Sequence, residues 1–287
     1  AYEIPKRDWS SDVCSSDLDF VIREDGLRRE ALRVSHAIEP IDIALLVDTS
    51  ASSVNAISPI RDAIRGFVAK MAPQNQIAII GLADRPTVLV DYTSDPKRLE
   101  DGIGRLFSMT GSGMTLLDAL VEASRGLEKR DATRAVLVPV ITDGIEYTNY
   151  YYRDVIEAMT RAGAGLHAVT VGTFSVTDDD ALRNRALVLD SGPKATGGQR
   201  QLLLSSNAVP QALEKLAAEL NAQYKVVYGR PESLIPPEKT EASAARAGIT
   251  VNTVRTWMRG KNAPTFPALQ ALANTLGYTI TLRKDTP

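Results

Sequence analysis

The sequence predicts an α/β protein, doubly wound around a mostly parallel central sheet flanked by helices, with a small helical appendage toward its C-terminal end. Unbroken apolar runs near residues 41–48, 76–82, 135–142 and 165–172 read as strands buried on both faces. Stretches of helical period lie between them, which is the alternation of a parallel sheet with crossover helices. A proline-rich linker at residues 230–240 then separates this region from one of different charge balance.

Composition limits the functional classes. A chain of 287 residues, 44% hydrophobic and 24% charged, is long enough for one large α/β domain and something smaller. A formal net charge of −2 gives no general attraction to nucleic acid or to anionic membrane. No apolar run approaches the roughly 20 residues that span a bilayer, and no signal peptide opens the sequence. The single Cys14 excludes an internal disulfide, and two histidines, His36 and His167, leave a zinc site or a histidine-based triad without support.

Residues 1–18 stand apart. Asp8-Trp-Ser-Ser-Asp-Val-Cys-Ser-Ser-Asp-Leu18 has no period of 2 or 3.6 and resembles the translation of an adapter oligonucleotide joined to a truncated gene. The plain alternative is a polar linker, and no function is assigned. An export signal lost with the true N-terminus stays open. Residues 19–40 form a lead-in: Asp25-Gly26 between two short apolar runs is a hairpin turn signal, so an extra edge hairpin is expected.

The organising stretch is Ile41-Asp-Ile-Ala-Leu-Leu-Val-Asp48-Thr-Ser50-Ala-Ser52. A buried parallel strand ending in an acid, with hydroxyls at alternate positions in the following turn, delivers oxygen ligands to the sheet's carboxyl edge. Such a set suits a hard divalent cation completed by water. A lone Asp-x-Ser-x-Ser also serves as a helix-capping turn. Helical spacing of Ile57, Ile60, Ile64, Phe67, Val68 and Met71 comes directly after it.

Gln76–Leu82 and Thr87–Tyr92 read as a central strand and a short antiparallel edge strand, and Asp95-Pro96 opens a helix to about Phe107. Gly111-Ser-Gly-Met-Thr115 is a tight loop before the helix 116–128, where Thr115 is also a candidate N-cap. The run Ala135-Val-Leu-Val-Pro-Val-Ile-Thr-Asp143-Gly144 ends in a second acid. A helix to Arg161, a strand at 165–172, a helix from Ala181 capped by the preceding aspartates, and a strand, helix and strand to Tyr228 complete the region.

Together, Asp48, Ser50, Ser52, Thr115 and Asp143 resemble the metal-ion-dependent adhesion site of von Willebrand factor type A domains, in a bacterial group often found as exported proteins. The resemblance covers residues 41–229 and implies a Rossmann-like fold, a magnesium or manganese ion held by those five residues directly or through water, and a protein partner that supplies an Asp or Glu carboxylate. It implies an interaction module and not an enzyme, outside the cytoplasm. Tyr147, Tyr150, Tyr151 and Tyr152, just past Asp143, form a candidate contact rim, with the buried face of a helix as the alternative. Glu146 is near enough in sequence to compete for the metal.

Residues 241–287 resemble a truncated repressor-type helix-turn-helix. Seven Lys or Arg stand against three acids from residue 238 to the end. In such a motif Asn252, Thr253, Arg255 and Thr256 face the major groove, with Arg259 and Lys261 near phosphate. The rival function is therefore a cytoplasmic DNA-binding regulator with the preceding domain as sensor. Ser233-Leu-Ile-Pro-Pro-Glu cannot form the helix that should come before the motif, and a junction between unrelated genes stays open.

Overall fold

The structure is a computed structural model that describes residues 22–24, 27–29, 31–172 and 179–228. In chain order its elements are β1 (Ile22–Glu24), β2 (Leu27–Arg29), β3 (Ala31–His36), β4 (Asp42–Asp48), α1 (Ile57–Met71), β5 (Gln76–Leu82), β6 (Pro86–Thr93), α2 (Pro96–Gly104), α3 (Leu116–Lys129), β7 (Ala135–Thr142), α4 (Tyr152–Arg161), β8 (Ala164–Leu166), β9 (Ala168–Val171), α5 (Asp180–Thr196), β10 (Arg200–Leu203), α6 (Val209–Asn221) and β11 (Tyr224–Tyr228).

The central sheet runs β10-β9-β7-β4-β5-β6, with β8 also on β7, and only β6 is antiparallel to its neighbour. In β4 the pleat divides the core. Ile43, Leu45 and Val47 join α1 and α6 on one face, while Ala44 and Leu46 join α3, α4 and α5 on the other. This is the doubly wound architecture, and both faces of β4 are dry. The chain leaves β4 toward β5 and later returns to β7 on the other side, so the strand order reverses beside the carboxyl end of β4. Open α/β sheets place their ligand crevices at such a point.

The apolar run at 165–172 forms two strands and not one. β8 and β9 are separated by His167, and the gap faces Pro139 of β7, which has no N–H to give to a ladder. His167 donates its backbone N–H to Leu137 O at 2.9 Å across this break.

The lead-in also differs from expectation. β1 and β2 pair antiparallel as their own two-stranded sheet and do not extend the edge of the central one. β3 pairs antiparallel with β11, joining the lead-in to the strand after α6. Arg134 ties this region to the foot of β7: its guanidinium donates to Glu39 O (2.6 Å), Leu220 O (3.2 Å) and Gln223 Oε1 (2.6 Å).

Candidate metal centre

The carboxyl end of β4 and the turn after it gather a set of oxygens. Asp48 is fully buried, and its carboxylate accepts hydrogen bonds from Ser50 N–H (2.8 Å), Thr142 N–H (3.0 Å) and the Thr142 hydroxyl (2.5 Å). The Ser50 and Ser52 hydroxyls lie 2.8 Å apart, and Ser52 Oγ is 2.8 Å from Thr142 Oγ1. Asp48, Ser50, Ser52 and Thr142 are thus one connected cluster spanning β4 and β7. Sequence reasoning misses Thr142 because it lies inside an apolar run. A hydroxyl immediately before the second acid is the available signal.

Asp143 comes next after Thr142, with a side chain 39% exposed. It opens onto a cleft of about 380 Å³ shared with Ser50, Ala51, Ser52, Gly144, Ile145 and Leu182. The turn leaves no room for a side chain at Gly144, where a Cβ would stand 2.4 Å from Ser52 Oγ.

Thr115 stands one step away, at the N-terminus of α3. Its hydroxyl donates to Ala83 O (2.9 Å), beyond the end of β5, and makes no capping bond to the helix. Its loop is joined to the serine turn by Ala51 N–H donating to Ser112 O at 3.1 Å.

The donor chemistry fits a hard cation. All candidate ligands are carboxylate or hydroxyl oxygens, and among the described residues no three His, Cys, Asp or Glu side chains converge. Two acids with several hydroxyls suit magnesium or manganese and offer nothing soft enough to favour zinc or copper. Glu146 is turned away from this set. Its side chain is fully buried, and one carboxylate oxygen accepts Leu117 N–H at 3.1 Å. Burial pushes its carboxyl up to about 8.

Arg185 of α5 is the third buried ionisable group. It donates to Gly144 O at 2.6 Å and lies 3.5 Å from Asp143 Oδ1. Burial holds its guanidinium below the ordinary value, with Glu146, Asp143 and Asp48 pulling the other way. Nothing in its local sequence separates it from the surface arginines of α5. Only the packing of that helix onto α4 brings it beneath the site.

Residues 43–146 match the family model of the von Willebrand factor type A domain. That match and the doubly wound sheet give this chain the von Willebrand factor type A fold. Residues 241–282 match a helix-turn-helix model, and Asn252, Thr253, Arg255, Thr256, Arg259 and Lys261 lie there, outside the described residues. Segments 1–18, 230–240 and 241–287 also lie outside them. Among curated proteins no relative matches.

Solved structures share the type A fold at low identity. The pilus adhesin SpaC from Lactobacillus rhamnosus GG is 13% identical over 64% of this chain and 31% of its own, with a TM-score of 0.51. Proximal thread matrix protein 1 from the mussel byssus is 15% identical over 69% and 51%, at 0.52. A von Willebrand factor type A protein from Catenulispora acidiphila is 13% identical over 65% and 44%, at 0.50. The match spans between about a third and a half of those proteins' lengths, and at these identities the likeness is one of fold.

The tyrosines past Asp143 divide. Tyr147 and Tyr151 are 50% and 70% exposed, whereas Tyr150 and Tyr152 are partly buried against the α3–α5 core. Phe107, Met109 and Ile145 are exposed on neighbouring loops. The helix expected to reach Phe107 ends at Gly104, which releases Phe107 and Met109 into a loop. That loop is fastened beside the serine turn by Met109 N–H on Thr49 O (2.8 Å) and the Ser108 hydroxyl on Ser50 O (2.8 Å).

Proposed function

We propose that the type A domain is a metal-dependent protein-binding module, in which Asp48, Ser50, Ser52, Thr115 and Asp143 hold a magnesium or manganese ion directly or through water. The observation that carries this reading is the connected cluster of Asp48, Ser50, Ser52 and Thr142, with Asp143 facing the cleft beside it. When bound, the ion would supply a hard electrophilic centre. Its protein ligands are mostly neutral hydroxyls, so an Asp or Glu carboxylate from a partner would find an attractive charge in a partly desolvated site.

The chain's own residues prepare that contact. Hydrogen bonds from Ser50, Ser52 and Thr142 fix the Asp48 carboxylate, and the serine turn gathers its hydroxyls beside it. Ile145, Tyr147, Tyr151, Phe107 and Met109 offer exposed apolar area on the surrounding loops, which suits a protein partner because buried apolar contact adds what an ion pair alone does not. A hydrolytic role is not favoured. Glu146 faces the α3 terminus and His167 is buried in the sheet, its imidazole held down to about 4 by desolvation, so neither is placed as a general base at the cleft.

An extracytoplasmic location goes with this reading. Among the described residues no helix is long and apolar enough to cross a membrane. The second reading, a DNA-binding regulator, rests on the helix-turn-helix match at residues 241–282.

The two are separated by one experiment. Protein captured from the native source on immobilised full-length chain with magnesium should elute with chelator, and Thr115→Ala should weaken capture while leaving the domain folded. Capture indifferent to both would contradict the metal-dependent function. A steeply salt-dependent shift of DNA by the same preparation would favour the regulator.

A further inference from the structure

The N-terminus of α3 is capped by a residue from another loop. A threonine before a helix ordinarily turns its hydroxyl back onto the first free N–H groups. Thr115 does not, because its hydroxyl is committed to Ala83 O. Leu117 N–H instead meets Glu146 Oε1 at 3.1 Å, from the loop three residues past Asp143. The carboxyl oxygen here also faces the positive end of the helix dipole.

The backbones of the two loops are bonded on either side of this contact. Met114 N–H donates to Ile145 O at 2.8 Å, and Tyr147 N–H donates to Met114 O at 2.7 Å. They approach so closely that a Cβ at Gly113 would stand 2.2 Å from the Tyr147 ring. The other Glu146 oxygen has no hydrogen-bond partner and lies 3.9 Å from Arg185, which also holds Gly144 O. A fully buried carboxyl group left half satisfied is costly unless its place is fixed by function or by its neighbours.

We infer that Glu146 is a positioning residue for the cation site: by capping α3 from the Asp143 loop it releases the Thr115 hydroxyl from capping and fixes the two loops relative to each other before an ion arrives, with the Arg185 guanidinium packed beneath. This inference rests on the metal reading proposed above. Its physical content is preorganisation, since an ion entering a preset site does not have to order the loops as it binds.

The test compares wild type, Glu146→Ala and Glu146→Gln in the full chain. Hydrogen–deuterium exchange is measured for the first turn of α3 in chelator, and magnesium affinity is measured by calorimetry. Glu146→Ala should speed first-turn exchange at least tenfold and weaken magnesium binding at least tenfold. Glu146→Gln keeps an acceptor oxygen and should bring both back to within about threefold of wild type, a rescue that loss of buried charge or general instability would not give. Unchanged exchange in Glu146→Ala, or faster exchange with magnesium affinity still within twofold, overturns the inference. A wild-type chain that takes up no magnesium overturns the metal reading and the positioning role with it, while the exchange data still report whether Glu146 caps α3.

Discussion

Asp48 contributes to the metal-free fold as an acceptor as much as a charge. Two nearby carboxylates would ordinarily repel, so that deleting either should relieve the fold. The donors on Asp48, among them the buried Ser50 and Thr142 N–H groups, and the Arg185 guanidinium beside Asp143 reverse that expectation. Asp48→Ala orphans donors that are buried, and should cost about 3 kcal/mol in chelator by denaturant unfolding. Asp143→Ala, at a side chain 39% exposed, should cost less than about 1 kcal/mol. His167 supplies a pH effect. Burial lowers its imidazole from 6.5 to about 4, so between those values the unfolded chain binds a proton that the folded chain does not. Stability is therefore full above about 6.5 and declines as pH falls toward 4, by up to about 3 kcal/mol, and His167→Leu should flatten that decline in thermal melts at stepped pH. The convergence of Asp48, Ser50 and Ser52 was legible because alternate positions of one turn share a side. Thr142, Glu146 and Arg185 were not, because their roles come from β7, a helix terminus and α5 meeting in space.

At the level of elements, the pleat of β4 and the helical period of α1 were readable because burial on both faces leaves a continuous apolar run, and burial on one face leaves a period of 3.6. The split of β8 from β9 was not, since it depends on which residue of a neighbouring strand is the proline. Pairing of β3 with β11 escaped for a similar reason: the partners lie nearly 200 residues apart in sequence. Arg134 makes that pairing cooperative with the main domain by bonding Glu39 O, Leu220 O and Gln223 Oε1 at once. Arg134→Ala should lower stability by about 2–3 kcal/mol and open the β3–β11 ladder, visible as faster amide exchange in β3 while β4 stays protected.

Across the whole molecule the two ends of the sheet have separate tasks. The amino end joins lead-in and exit through Arg134 and the β3–β11 pair, and the carboxyl end carries the oxygen cluster with its cleft. A chain ending at Gly229 retains both, and should melt within about two degrees of the full chain and bind magnesium equally. A fall of about ten degrees would show residues 230–287 to be integral to the domain. Magnesium titration of the full chain by calorimetry bears most directly on the metal centre itself. One magnesium site that is abolished in Asp48→Ala and at least tenfold weaker in Asp143→Ala is the expected result, whereas the same affinity in all three proteins would contradict a cation held by these residues.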